Sequence, residues 1–181
     1  MANKSNECFS SFIPLDFEFS SKLRVIDNFS DCISFNVYDK EKNNKSQTHQ
    51  LDKMVLESSS FPSVAIIASD MSIKNNVATS IAHIYTYNKP LTKTIHHAVF
   101  ITSTEAELFA IRCDINQATN FNTIAKIIVV TDSIYAARKI FDPSVYLYQI
   151  QLAAILSELC NFFNRHENNT IEFWECPSHL K

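Results

Sequence analysis

The chain has 181 residues, a formal net charge of −3 and 46% hydrophobic residues, but no glycine. Its length suits one medium domain with an extension, and its apolar content is sufficient for a core. The missing glycine excludes a Walker A loop, a Gly-x-Gly-x-x-Gly dinucleotide turn and a Gly-x-Ser-x-Gly nucleophile elbow, because each depends on glycine's backbone freedom. The acidic balance disfavours nucleic-acid binding through a broad basic surface.

The five cysteines form no recognisable metal or disulfide pattern. Their number is odd and no pair has Cys-x-x-Cys spacing, which disfavours a zinc site or a disulfide framework. We therefore predict reduced thiols in an intracellular protein, with nucleus and cytoplasm not distinguished. No signal peptide is visible, and no apolar run approaches the roughly 18 residues needed to span a membrane.

Residues 1–62 are predicted to be a partly ordered connector or leader. Residues 40–47 are predicted to be a polar loop, and residues 57–60 a linker. Between the polar stretches, residues 33–37 alternate apolar and polar side chains, a pattern that weakly predicts a strand.

Residues 63–181 are predicted to form one α/β domain with a mixed five-stranded sheet flanked by helices. Unbroken apolar runs predict buried strands, and apolar residues at helical spacing predict helices with one buried face. The predicted elements are a strand at 64–69, a hairpin at 77–87 and 91–102, a helix ending near 119, a strand at 126–131, helices at 133–141 and 149–165, and a strand at 170–175.

Three carboxylates stand at positions where a metal site can form. Asp70 and Asp132 each follow an apolar run that predicts a buried strand, and Glu107 lies on the predicted helix between them. Ligands collect at the carboxyl ends of strands in open α/β sheets, and carboxylates in one crevice repel each other unless cations are present. Mg²⁺ prefers such oxygen ligands. Taken singly, each aspartate is better explained as a strand-terminal residue or helix cap, and Glu107 as a solvated helix residue; the three together, in this order, favour the site.

The stretch from about Val64 to His179 resembles a ribonuclease H type 1 domain, of the kind attached to reverse transcriptases of non-LTR retrotransposons, particularly fungal ones. Four segments carry the resemblance, and the Thr-Asp-Ser motif in the third is the most specific. These segments are Ile-Ala-Ser-Asp-Met-Ser at 67–72, Ser-Thr-Glu-Ala-Glu-Leu-Phe-Ala-Ile at 103–111, Val-Thr-Asp-Ser-Ile-Tyr-Ala-Ala at 130–137 and Phe-Trp-Glu-Cys-Pro-Ser-His at 173–179.

The resemblance implies a ribonuclease H-like fold and a metal-dependent endonuclease that hydrolyses the RNA strand of RNA–DNA hybrids. By the same resemblance, Asp70, Glu107 and Asp132 are catalytic and hold Mg²⁺ or Mn²⁺. His179 corresponds to the loop histidine that assists turnover. RNA–DNA hybrid is the expected partner, and the leader would connect the domain to a reverse transcriptase in the parent element.

Two departures from the family pattern bear on activity. Met71 and Ser178 stand where the family usually has glycine. The family's fourth carboxylate lies on a helix after the histidine loop, whereas this sequence ends at Lys181. We therefore expect either a C-terminally truncated domain or an incomplete gene model, in which the three remaining carboxylates still hold one metal ion and a second is held weakly. The alternative is a catalytically inactive ribonuclease H-like fold that only binds nucleic acid or a protein partner.

Overall fold

The computed structural model describes residues 25–37, 44–74, 77–87, 89–99, 102–142 and 149–176. A 3₁₀ segment, Val25–Cys32, precedes the other elements. In chain order these are β1 (Ile33–Asn36), α1 (Asn44–Ser58), β2 (Val64–Lys74), β3 (Val77–Thr86), β4 (Lys89–Val99), α2 (Ser103–Thr119), β5 (Lys126–Thr131), α3 (Ile134–Phe141), α4 (Gln149–Arg165) and β6 (Thr170–Glu175).

The strands form one mixed sheet in the order β1-β6-β5-β2-β3-β4. β2, β5, β6 and β1 are parallel, whereas β3 and β4 form the antiparallel hairpin beside β2. The α/β class and the mixed five-stranded sheet flanked by helices are therefore confirmed, and β1 adds a sixth strand beyond β6. Parallel neighbours require crossovers, which α2 provides between the hairpin and β5 and which α3 and α4 provide between β5 and β6.

The main core lies on the face of the sheet that α2 and α4 cover. Alternate residues of the strands point to opposite faces, so every second residue of β2, β5 and β6 enters this core. Members from the sheet and from both helices are essentially inaccessible to solvent: Ala65, Ile67, Ile127, Val129, Ile171, Phe173, Leu108, Ile111, Ile115, Ile155, Leu159 and Phe162. The apolar faces predicted for the two helices are confirmed.

The opposite face is partly covered by α1. Met54 of this helix is 8% exposed and belongs to a smaller cluster with Val64, Ile66 and Ile128, against which Leu51 packs. The prediction of a loop at 40–47 is wrong from Asn44 onward, and residues 57–58 also belong to the helix. The polar composition concealed the helix because only a narrow stripe, containing Leu51 and Met54, contacts the sheet.

The segment before α1 packs against the main core, on the face of the sheet that α2 and α4 cover. Phe35 of β1 stacks on Phe173 of β6 with ring centroids 5.1 Å apart, and Phe29 lies 5.2 Å from Phe163 of α4. Ile26 is 3% exposed. Aromatic contacts of this kind add to the free energy gained from apolar burial, so residues 25–36 are held to the sheet edge by packing as well as by strand pairing.

The position of α2 is fixed at both ends. Thr102 is its N-cap, with a side-chain oxygen that accepts a hydrogen bond from the Glu105 amide at 3.2 Å. At the other end, the Arg165 guanidinium of α4 donates to the Thr119 carbonyl at 2.6 Å. These contacts satisfy terminal backbone groups that the helix itself leaves without partners.

Two further sequence-based expectations concern membranes and thiols. No helix in the described ranges combines the length and the apolar character needed to cross a membrane. The four described cysteines, Cys32, Cys113, Cys160 and Cys176, are free thiols, as predicted. Cys8 lies outside the described residues.

Replacing Met54 by Ala is expected to lower the free energy of unfolding by about 2 kcal/mol, because it leaves a cavity between α1 and the sheet. Leu56→Ala on the same helix is the matched control. Leu56 is 75% exposed, so its loss is expected to stay below about 0.5 kcal/mol. Urea unfolding followed by circular dichroism measures both values, and equal losses would show that α1 does not dock through Met54.

Thr102→Ala is expected to cost about 1 kcal/mol of unfolding free energy, since it removes the side-chain acceptor at the start of α2. Thr102→Ser keeps the oxygen and should stay close to the unsubstituted protein. Thermal unfolding of the three proteins at one pH compares them. If Thr102→Ala matches the unsubstituted protein, the hydrogen bond to Glu105 contributes nothing to helix stability.

Candidate metal and nuclease site

Asp132 lies directly after the carboxyl end of β5, as the sequence predicts. Its side chain is exposed, whereas Thr131 before it is only 2% exposed. The Thr131 side-chain oxygen accepts a hydrogen bond from the Ser133 amide at 3.0 Å, and the Thr131 carbonyl accepts one from the Cys176 amide at 2.8 Å. The backbone around Asp132 is therefore fixed while its carboxylate faces solvent.

Asp70 lies inside β2 and not after it. The sequence predicts a strand that ends at residue 69, but β2 continues to Lys74 because β3 pairs with it from Ala65 to Lys74, with Asp70 opposite Ile81. The parallel pairing of β2 with β5 stops earlier, at Ala68 opposite Val130. Asp70 and Asp132 are thus each two residues beyond the last parallel pair, so their backbones leave the shared ladder at the same edge of the sheet. The Asp70 side chain lies outside the described part of the structure.

Glu107 lies in the second turn of α2, on the helix that packs against β2, β3 and β5. Its side chain is half-buried, and its neighbours Ala106 and Leu108 are fully buried. The helix therefore holds Glu107 against the sheet by its flanking residues. This half-buried position differs from that of a solvated residue on the outer helix face.

His179 and Ser178 lie outside the described residues, so the role predicted for His179 stays a prediction. The backbone of Met71 belongs to β2 and pairs with Ser80 of β3. A residue other than glycine at this position is therefore compatible with a regular extended strand.

The donor set fits a hard divalent cation. Among the side chains that the structure describes, no three His, Cys, Asp or Glu residues form a metal-binding group, and Asp70 is not among these side chains. Asp132 forms no salt bridge within the described ranges. The exposed carboxylate of Asp132 and the half-buried one of Glu107 are oxygen donors of the kind that Mg²⁺ and Mn²⁺ prefer.

Cys176, immediately after β6, is a neighbour of Asp132 that sequence reasoning missed. Burial raises the pKa of the Cys176 thiol, and the negative charge of Asp132 raises it further. A raised pKa keeps the thiol protonated at neutral pH, and a protonated thiol is a poor metal ligand. The spacing between positions 132 and 176 gives no signal of this proximity, which follows from the parallel pairing of β5 with β6.

The first turns of α3, beside Asp132, present an aromatic and a basic side chain that the sequence did not single out as a pair. Tyr135 is 66% exposed, and the Lys139 ammonium lies 4.5 Å from the centroid of its ring. The two residues are one helical turn apart, which explains the contact. Arg138 is also exposed and lies 6.0 Å from the Phe35 ring centroid. A solvated aromatic ring beside a cation offers both a stacking surface and a phosphate-binding group.

No protein-family model matches this sequence, and no curated protein matches it. Among solved structures, it is similar to an RNase H1 from the halophilic archaeon Halobacterium salinarum. That likeness has 12% identity and a TM-score of 0.48, over 63% of this chain and 86% of the other. The N-terminal RNase H domain of a Mycobacterium tuberculosis protein, solved as a fusion with maltose-binding protein, has 14% identity and a TM-score of 0.49, over 64% and 88% of the two chains.

Proposed function

We propose that this protein is a metal-dependent endonuclease that hydrolyses the RNA strand of RNA–DNA hybrids. The observation that carries the proposal is the register of β2 and β5, which brings the backbones of Asp70 and Asp132 to one edge of the sheet beside the helix of Glu107. The order of these carboxylates along the chain, strand, helix and strand, is the order that the sequence resemblance implies. In this proposal, residues 63–181 form the nuclease domain, while β1 and α1 support its sheet.

Asp70, Glu107 and Asp132 would hold Mg²⁺ or Mn²⁺ in this site. When bound, such an ion stabilises negative charge on a phosphodiester and lowers the pKa of water. The protein's own contribution is to keep the carboxylates in place before the ion arrives. The Thr131 contacts do this for Asp132, and the buried neighbours of Glu107 do it on α2.

His179 would assist proton transfer or product release, and the products would carry a 3′-hydroxyl and a 5′-phosphate. These roles, like the origin in a non-LTR retrotransposon, are supported by the resemblance of residues 64–179. Activity on hybrids would place the protein inside the cell, where such hybrids form.

Substrate contact in this proposal is local because the chain as a whole is acidic, with a net charge of −3. Tyr135 would stack on a base or sugar, and Lys139 and Arg138 would contact phosphates. All three residues lie on α3, within two helical turns after Asp132. The helix would therefore bind the duplex next to the proposed metal site.

Purified protein is expected to cleave an RNA–DNA hybrid with end-labelled RNA in Mg²⁺ or Mn²⁺, and a chelator should abolish cleavage. Asp132→Asn should lower the rate by about 100-fold or more, on the scale of losing one charge-stabilising group in a catalytic site. Glu167→Gln is the matched control, because Glu167 is an exposed acidic residue in the turn before β6, at the opposite edge of the sheet.

Cleavage that survives in Asp132→Asn would contradict the proposal and point to a contaminating nuclease. Absence of cleavage by protein that circular dichroism shows to be folded would also contradict it. A gel-shift measurement with the same hybrid would then show whether the protein only binds nucleic acid.

Tyr135→Ala is expected to weaken hybrid binding by roughly tenfold, within the range of about 1–3 kcal/mol per stacked base. Lys139→Gln should weaken binding and reduce the slope of log affinity against log salt by about 1. Fluorescence anisotropy in the Asp132→Asn background avoids cleavage during the titration. Lys53→Gln on α1 is the control, because Lys53 is an exposed lysine on a different helix, and it should leave both quantities unchanged. Equal effects of the two lysine substitutions would show that the surface beside Tyr135 does not bind the duplex.

A further inference from the structure

We propose that Thr131 is a positioning residue for Asp132, and that its hydroxyl acts by fixing the backbone turn on which Asp132 is presented. The inference rests on the proposed function, since it assigns Asp132 to the metal site. Thr131 would touch neither the metal nor the substrate. It would act entirely through the residue that follows it.

The residue type at this position is unexpected for packing alone. Thr131 ends the strand Lys126–Thr131, whose preceding residues are Ile127, Ile128, Val129 and Val130, and it is 2% exposed. Valine has nearly the same shape as threonine and carries no polar atom. A buried hydroxyl costs free energy unless it is hydrogen-bonded, so its presence at a valine-like position indicates a specific bond.

That hydrogen bond joins the two residues on either side of Asp132. The Thr131 hydroxyl oxygen accepts the Ser133 amide at 3.0 Å, while the Thr131 carbonyl accepts the Cys176 amide at 2.8 Å. The Ser133 carbonyl in turn accepts the Ala137 amide at 3.2 Å, which begins α3. Asp132 therefore sits between a residue tied to β6 and a residue tied to α3, and the threonine side chain links the two.

Ser133 does not supply this restraint itself. It is the N-cap of α3, but in the described part of the chain its side chain makes no capping hydrogen bond, and its backbone (φ −108°, ψ 58°) is outside the helical region. Without the Thr131 hydroxyl, the Ser133 amide loses its partner and the turn gains conformational freedom. A metal ligand must be held within about 0.5 Å of its productive position. Greater freedom of the turn would let the Asp132 carboxylate move out of that position.

The test compares Thr131→Val with Thr131→Ser in the full chain. The valine variant removes the hydroxyl and keeps the shape, whereas the serine variant keeps the hydroxyl. Should the valine variant not fold, Thr131→Ala replaces it. The readout is the Mn²⁺ concentration that gives half-maximal cleavage of the hybrid, measured with the melting temperature of each protein.

Thr131→Val is expected to raise that concentration by roughly tenfold or more, the scale found for groups that orient a metal ligand. Thr131→Ser should restore it to near the unsubstituted value. Thr119→Val is the matched control, because Thr119 is also buried and its hydroxyl also makes one backbone hydrogen bond, to the Asn116 carbonyl at 3.0 Å. It should lower the melting temperature without changing the Mn²⁺ dependence.

The outcomes separate this inference from the proposed function. If the unsubstituted protein cleaves and Thr131→Val shows the same Mn²⁺ dependence with only a lower melting temperature, Thr131 is merely structural and the inference is overturned while the nuclease function stands. A shift in Thr131→Ser as large as that in Thr131→Val would overturn it too, since the hydroxyl would not be the cause. If the unsubstituted protein shows no metal-dependent cleavage, the proposed function fails first and the inference fails with it.

Discussion

Parallel pairing between β2 and β5 sets where two of the three proposed metal ligands, Asp70 and Asp132, lie. The ladder runs from Val64 opposite Lys126 to Ala68 opposite Val130, and side chains on it alternate between two filled faces. A slip by one residue would exchange the residues that face α2 and α4 with those that face α1. The buried side chains therefore enforce the register, and the register in turn places Asp70 and Asp132 at equal distances beyond the last pair. The site geometry is thus set by the same packing that stabilises the fold.

Sequence patterns were sufficient where one periodicity dominated. The apolar run before Asp132 predicts only a buried strand, and the apolar stripes of α2 and α4 predict only helices. The observed strand and helices agree with these predictions. Patterns were insufficient where long-range pairing decided the outcome. The extension of β2 past Asp70 depends on the hairpin strand β3, and the proximity of Cys176 to Asp132 depends on β6. The helix α1 was missed because its buried stripe is narrow and its remaining positions are polar.

The candidate site joins a fixed backbone to a solvent-facing carboxylate. Asp132 is exposed, yet its neighbours in sequence are anchored to β6 and α3 by backbone hydrogen bonds. Such an arrangement lowers the conformational entropy that the side chain loses when it meets a cation. The sequence could identify Asp132 as a candidate from its motif. It could not show that the Thr131 side chain restrains the turn, because the hydrogen bond from the Ser133 amide depends on the backbone conformation after β5.

The edge strand β1 has a consequence for the order in which the chain can fold. Ile33 pairs with Ile171 and Asn36 with Trp174, so β1 pairs with a strand that is made much later than β1 itself. Closing such a long loop is entropically slow, and contacts between distant parts of a chain are formed late. During synthesis, β1 stays without its partner strand while α1 emerges and while β2, β3 and β4 emerge and pair with one another. We therefore expect the stacking of Phe35 on Phe173 to form late in folding.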